Sequence, residues 1–364
     1  MFIVVLGFAL LICLAGLYYL MTRFRRFGFV LKLCKHERKK VRWVSALLCL
    51  PLALLLLLTP VVAVAILMHL LIFWALCELI GGLIKKLRKK AFRRYYEGGI
   101  AIVLTIVYLA FGWHFAHHVY RTDYTVSTQK DIGTPSLRIA LIADSHLGEI
   151  LDADRFMLEL EKIEAAKPDL VVICGDFVDD DTSREELYQA CAALQELEST
   201  YGTYFVYGNH DKGYMTGRDF DASELHNALI QSGITVLQDE VALIAERIQL
   251  VGRQDRHEAS RAEIVSLTQN LDPDKFTIVL NHQPNDYDSE VAAGVDLVLS
   301  GHTHGGHIFP LGIFGKLIGA NDFVYGHTRR GQTDFIVTSG ICGWGVPFKT
   351  GAISEFVIID IQQN

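Results

Sequence analysis

Residues 301–306 read Gly-His-Thr-His-Gly-Gly and follow an apolar run, Asp296-Leu297-Val298-Leu299-Ser300, patterned as a strand. Side chains two apart on a strand share a face, so His302 and His304 point the same way if the extended backbone continues past Ser300. The flanking glycines permit tight turns and close approach to a ligand. Neutral imidazole is a common metal ligand. On their own, two histidines in a polar loop read equally well as solvated side chains, so a metal site needs support from elsewhere in the chain.

That support lies at four other places of the same kind. From residue 137 onward, short apolar runs alternate with helical patterns. Leu137–Ile142, Leu170–Cys174 and Thr203–Tyr207 read as strands, separated by amphipathic helices over Asp152–Ala166 and Arg184–Leu197. This order implies parallel strands with crossover helices. The three strands end in Asp144-Ser145-His146, in Gly175-Asp176-Phe177-Val178-Asp179 and in Gly208-Asn209-His210-Asp211. Further strands are expected at Ile234–Leu237, Ile248–Val251, Phe276–Leu280, Leu297–Leu299, Phe335–Thr338 and Phe356–Ile361, and the run at 276–280 ends in Asn281-His282. Ligands bind outside the carboxyl ends of strands in open parallel sheets. Five such ends delivering Asp, His and Asn to one edge are hard to explain as turns and caps alone. Imidazole, carboxylate and amide oxygen without thiolate suit manganese, iron or zinc. Two such ions clamp a phosphoryl group and acidify a bridging water. The seven cysteines show no CxxC spacing, which argues against zinc held by thiolates, and they read as small buried hydrophobes.

The 364 residues divide by charge. Residues 1–120 hold 16 Lys+Arg and 3 Asp+Glu, a balance of +13; the remainder hold 34 − 16 = 18 and 41 − 3 = 38, a balance of −20. Mean hydropathy is +0.28. The pattern predicts a membrane anchor at 1–120, a linker at 121–136 and an acidic domain at 137–364; the acidic domain argues against nucleic acid as a partner. Four spans are expected, at 2–21, 43–59, 61–84 and 98–119, with a turn at Thr59-Pro60 and Tyr108, Trp113 and Tyr120 as interfacial anchors. Nine basic residues in 22–42 and seven in 85–94, against two in 121–136, put both basic loops in the cytoplasm and the acidic domain outside it. The expected location is the plasma or inner membrane.

The five strand-end blocks resemble the calcineurin-like metallophosphoesterase superfamily, whose pattern is DxH, GDxxD, GNH[DE], a lone His, then GHxH; the longer Gly301–Gly306 form is similar to its membrane-anchored bacterial branch. The resemblance covers about residues 137–361. It implies an α/β fold with two central sheets flanked by helices. It also implies a first metal held by Asp144, His146, Asp176 and His304, with Asp176 bridging to a second held by Asn209, His282 and His302. His210 would act on the phosphate as stabiliser or general acid, and Asp179 would orient it. The phosphoprotein phosphatases of the superfamily continue with an arginine; here Asp180 and Asp181 stand in that stretch, which argues against phosphoprotein substrates. Arg253, Arg256 and Lys349 are the candidates to supply substrate-binding charge, and His307 a candidate to line the pocket. His226 and His327 read as structural, and Trp344 as pocket wall or core. The expected activity is hydrolysis of a phosphoester, favouring a diester, on a membrane-associated or lipid-linked phosphate, by attack of a metal-bound hydroxide. A lipid-linked UDP-sugar hydrolase of lipid A type and a non-enzymatic metal-binding scaffold are the alternatives.

Overall fold

The computed structural model describes residues 2–90, 94–213 and 217–364, with side chains from Leu10 onward; Arg93 of the second basic loop lies outside them. It separates into two compact units, residues 1–111 and 112–364.

The first unit is helical. Three helices are long and apolar enough to cross a membrane: Arg38–Leu58, Pro60–Arg88 and Glu97–His117, the last of which runs on into the second unit. The helix Phe2–Phe24 matches the expected first span in extent, but its part with described side chains, Leu10–Phe24, falls short of that length. Among the described residues, three helices meet the requirement. The break falls at Thr59, with Pro60 opening the next helix, where proline's missing N–H costs nothing. Glu78, the one acidic residue in the four expected stretches, is paired with basic side chains. Arg26 Nη1 lies 2.7 Å and Arg23 Nη2 3.0 Å from its carboxylate, and Tyr19 and Tyr95 donate hydroxyl hydrogens to it.

The second unit holds twelve strands among the described residues: β1 (Val119–Thr128), β2 (Ser136–Ile142), β3 (Leu170–Cys174), β4 (Thr203–Val206), β5 (Thr235–Val236), β6 (Glu240–Ile244), β7 (Ile248–Gly252), β8 (Phe276–Leu280), β9 (Leu297–Ser300), β10 (Gly326–Arg330), β11 (Thr333–Val337) and β12 (Ser354–Gln363). They form two mixed six-stranded sheets, ordered β1-β12-β2-β3-β4-β5 and β10-β11-β9-β8-β7-β6. The run β2 to β5 is parallel, as the alternation of strands and helices requires. Strand alternation divides each central strand between two cores. Leu137, Ile139 and Leu141 of β2 face the other sheet with Leu250, Ile278 and Leu299. Ala140 and Ile142 face the helices Ala153–Ala165, Arg184–Glu196 and Ala222–Gln231 around Phe156, Phe177 and Phe205. Strands buried on both faces are apolar throughout, which is why they read as continuous runs. The helices start where the caps predict: the Asp152 carboxylate accepts from Arg155 N–H at 2.8 Å, and Ser183 with Glu186 forms a capping box.

The first half of the expected linker 121–136, residues 121–128, belongs to β1, which pairs in parallel with β12 along its whole length. Tyr120, Thr122, Tyr124 and Val126 alternate with Arg121, Asp123, Thr125 and Ser127, a β pattern independent of the charge balance. His327 sits in the edge strand β10, where its Nε2 meets Asp334 Oδ1 at 2.8 Å, in keeping with a structural role.

Candidate metal centre

The carboxyl ends of β2, β3, β4, β8 and β9 converge. Main-chain bonds stitch their loops together: Asp144 N–H donates to Gly175 O (3.0 Å), His146 N–H to Asp176 O (3.1 Å) and Gly301 N–H to His282 O (2.9 Å). Asp144, His146, Asp176, His302 and His304 all have positive φ, between 39° and 69°. Such backbone costs about 1–3 kcal/mol per residue and persists only where the surroundings impose it. Gly175 is required as glycine: a Cβ there would lie 2.5 Å from Gly208 N and 2.6 Å from His282 Nδ1.

The nine metal-ligand and catalytic candidates meet in this region, eight of them in three groups, two of which share His146. The ligand atoms of Asp144, His146 and His304 lie within 4.8 Å of one another, as do those of Asp176, His282 and His302, and those of His146, Asp179 and His210. Asn209 joins the second group, its Oδ1 3.3 Å from His282 Nε2. One expectation fails in detail. The backbone leaves the extended form after Ser300 and turns into a short 3-10 segment at His304–Gly306, so His302 and His304 do not share a face. They separate, one into each of the first two groups.

The imidazole tautomers follow from the outer partners. His146 Nδ1–H donates to Asp179 Oδ2 (2.7 Å), His282 Nδ1–H to Cys174 O (2.7 Å) and His304 Nδ1–H to Cys342 O (3.1 Å). A neutral ring with hydrogen on Nδ1 turns a lone pair out at Nε2. The Nε2 atoms of His146 and His304 then face each other at 3.2 Å, and His282 Nε2 faces Asp176 Oδ2 at 3.1 Å. Lone pairs at these separations call for a proton or a cation between them. Burial alone would lower His282, yet Asp176 and Asp144 push it up to about 10, so it carries the countercharge. Burial lifts Asp144 to about 6, with Asp176 adding to the shift. Asp176 is held well below the usual carboxylate range by His282 and His146 despite its burial. Burial, with the neighbouring His282, brings His302 down to about 4, and burial with His146 takes His304 well below its ordinary value. Both are neutral rings able to ligate. The donor set fits two divalent cations.

Asp179 joins the groups. Its second oxygen, Oδ1, lies 3.0 Å from His210 Nδ1 and also accepts from Asp180 N–H at 2.7 Å. Beside His210 opens a cleft of about 460 Å³ lined by Glu149, Asp179, Asp180, Asp181, Trp344 and Gly345. Burial, then Asp179 and Asp181, raise Glu149 above its ordinary value. Trp344 packs edge-on to His210, ring centroids 5.0 Å apart.

Two candidates for substrate-binding charge are structural. Lys349 is fully buried, its Nζ donating to Ser339 O (2.6 Å), Cys342 O (3.2 Å) and Gly340 O (3.4 Å). Buried Arg253 pairs with Asp286 (3.2 Å) and Glu290 (3.3 Å). Arg256 is exposed and donates to Asn285 Oδ1. His307 packs against His304, ring centroids 5.2 Å apart. His226 meets Tyr207 OH at 3.2 Å. Sequence reasoning missed Asp211. Its buried carboxylate accepts from the N–H groups of Gly208 (2.7 Å), Phe177 (2.8 Å), Asp176 (2.9 Å) and Val178 (3.1 Å), and so fixes the loop that carries Asp176 and Asp179. Its place directly after His210 was the one available signal.

Two sheets that gather buried carboxylates and imidazoles at their strand ends define an α/β site able to hold metal. The sequence profile of the calcineurin-like phosphoesterases matches residues 137–306. A metallophosphoesterase of Aquifex aeolicus is 30% identical over 257 residues, covering 68% of this chain and 94% of its own. One from Helicobacter pylori J99 is 34% identical over 229 residues (61% and 59%). The Bos taurus transmembrane protein with metallophosphoesterase domain is 31% identical over 245 residues (62% and 53%). The chain thus spans less than two thirds of the Helicobacter and bovine proteins' own lengths. It belongs to the calcineurin-like phosphoesterase family.

Proposed function

We propose that this chain is a membrane-anchored, binuclear metal-dependent phosphoester hydrolase that prefers diesters, its substrate a membrane-associated or lipid-linked phosphate. Asp144, His146, His304 and Asp176 would hold one cation, and Asp176, Asn209, His282 and His302 the other. Manganese, iron or zinc suits these donors. When bound, two such cations supply Lewis acidity at the phosphoryl oxygens and an acidified water.

The remaining work falls to side chains. Asp176 sits between the groups, with Oδ2 toward His282 and Oδ1 accepting the His210 N–H at 2.8 Å. Asp179 aligns the rings of His146 and His210 by one oxygen each. Burial would lower His210, but Asp179 and Asp176 raise it above its ordinary value, so it keeps a proton for the leaving oxygen further up the pH scale. The preference for diesters rests on charge. Glu149, Asp180 and Asp181 line the cleft where the phosphatase arginine would stand, and they repel a dianionic monoester more than a monoanionic diester. The first third of the chain would anchor the enzyme with four crossings, its basic loops in the cytoplasm and the phosphoesterase unit outside.

The observation that carries this reading is the pair of Nε2 atoms of His146 and His304 facing each other at 3.2 Å, with their Nδ1 hydrogens committed to Asp179 Oδ2 and Cys342 O. Purified full-length protein loaded with manganese should hydrolyse bis-nitrophenyl phosphate with a higher kcat/KM than nitrophenyl phosphate. Protein that binds metal and turns over neither ester is a scaffold, and the reading fails.

A further inference from the structure

The unit that carries the site has one large apolar outcrop. Directly after Gly305-Gly306-His307 the chain forms a short helix, Leu311–Leu317, none of whose residues is buried. Phe309, Leu311, Ile313, Phe314, Leu317 and Ile318 are exposed, the last two to 74% and 79%. Lys316 is the one charged residue from 308 to 320. Elsewhere among the described residues of this unit, exposed large apolar side chains stand singly or in pairs, such as Trp113, Ile230 or Val241 with Leu243. A contiguous exposed apolar patch marks a contact face.

The surroundings identify what covers it. The helix rests on the glycine pair beside His304: a Cβ on Gly306 would lie 2.9 Å from Gly312 Cα. Phe309 N–H donates to Thr350 Oγ1 (2.9 Å), and the N–H groups of Thr350 and Gly351 donate to His307 O (both 2.8 Å). The preceding Lys349 donates its N–H to Gly112 O at 2.9 Å. Gly112 belongs to the closing turns of Glu97–His117, a helix long and apolar enough to cross a membrane. Those turns are fastened to this unit again through Arg155 Nη2 to His117 O (2.7 Å) and Ser354 Oγ to Ala116 O (3.3 Å). The outcrop is thus linked by one loop to the place where a spanning helix ends, next to half-exposed Trp113. Tryptophan favours the membrane–water boundary, and a lone lysine can reach from an apolar helix to the headgroups. A short apolar segment at that level matches an interfacial anchor.

We propose that Phe309–Ile318 dips into the bilayer that holds helix Glu97–His117, so that the neighbouring metal centre opens at the membrane surface and receives phosphates held at headgroup depth. This rests on the membrane-anchored phosphoesterase reading and adds the surface that presents its substrate.

The test uses full-length protein in phosphatidylcholine vesicles carrying a nitroxide midway along the acyl chain. The seven native cysteines are buried, so a fluorophore on L317C reports one position. That label should lose most of its emission to the lipid nitroxide and little to aqueous iodide. A label on I230C, exposed on the helix Ala222–Gln231, should do the reverse. A 317 label that behaves like the 230 label overturns the proposal. So does iodide protection in detergent that is lost on dilution, which would assign the face to a second copy of the chain. Quenching at 317 in protein that hydrolyses no phosphoester would sink the enzymatic reading and leave the membrane contact standing. Hydrolysis of a soluble diester with no quenching would do the opposite.

Discussion

Asp179→Asn is the substitution that discriminates most, because one carboxylate aligns two imidazoles with different tasks. In the wild type, Oδ2 accepts from His146 at 2.7 Å and Oδ1 from His210 at 3.0 Å. Asparagine keeps the volume but has one acceptor oxygen; its NH₂ meets the other ring's N–H donor to donor, so one imidazole must change tautomer or turn. A hydrogen bond to a charged group contributes about 1.5–3 kcal/mol, roughly 10- to 150-fold for each ring. The two losses share one side chain and will not simply add. We expect kcat/KM for a diester to fall about 10²–10³-fold. About 10–100-fold of that should appear as weaker metal binding, because His146 loses its outer partner. The rest should persist at saturating metal, from the misaligned His210. A pH profile separates alignment from general damage. Asp179 raises His210, so losing its charge lowers the His210 pKa, and the alkaline limb of kcat should move to lower pH in the variant. Metal titration and pH–rate profiles on matched metal-loaded samples read both effects. Activity within about threefold of wild type at saturating metal, with an unmoved alkaline limb, would refute the reasoning.

His210→Gln should cost more with an alkyl diester than with a nitrophenyl ester, by up to roughly 10²-fold, since a nitrophenolate needs little protonation; equal losses on both would leave His210 a charge stabiliser only. Lys349→Met should destabilise the protein by about 2–4 kcal/mol, because three buried carbonyls lose their donor; thermal melting measures it. The wild-type lysine is held down to about 8, below its free value, so the unfolded chain binds the proton more tightly and stability should rise between pH 8 and the free lysine range, a rise absent from the variant. A reporter that is active only after export, fused after Asn364, should be active; a silent one beside an active cytoplasmic reporter overturns the topology.

The strand-end blocks were legible because they are local. Asp144 to His146, Asp176 to Asp179 and Asn209 to His210 each follow an apolar run, and a sheet brings such ends together whatever the loop details. The parting of His302 from His304 was hidden by the positive φ at both residues, since a strand pattern presumes that extension continues. Lys349 and Arg253 stand as candidate substrate charges in the sequence because burial is a long-range property: Glu290, Arg253's partner, lies 37 positions away, and Lys349 is enclosed by carbonyls of the turn 339–342. Asp211 is a similar case, because the backbone donors it gathers lie mostly 33–35 residues upstream. The apolar helix at 311–317 is interrupted by Gly312 and Gly315, which break helical periodicity, and β1 carries Arg121 and Asp123, which resemble a polar linker.

Metal stoichiometry tests the central claim most directly. Elemental analysis of purified wild type, run alongside a diester assay during chelation and refilling, should find two divalent ions per chain, with activity lost and regained in step. Asp176→Asn should hold fewer ions and be inactive while still folded, since a neutral amide bridges two cations poorly. Diester hydrolysis that survives exhaustive chelation, or an Asp176→Asn variant that keeps both ions and full turnover, would contradict the account.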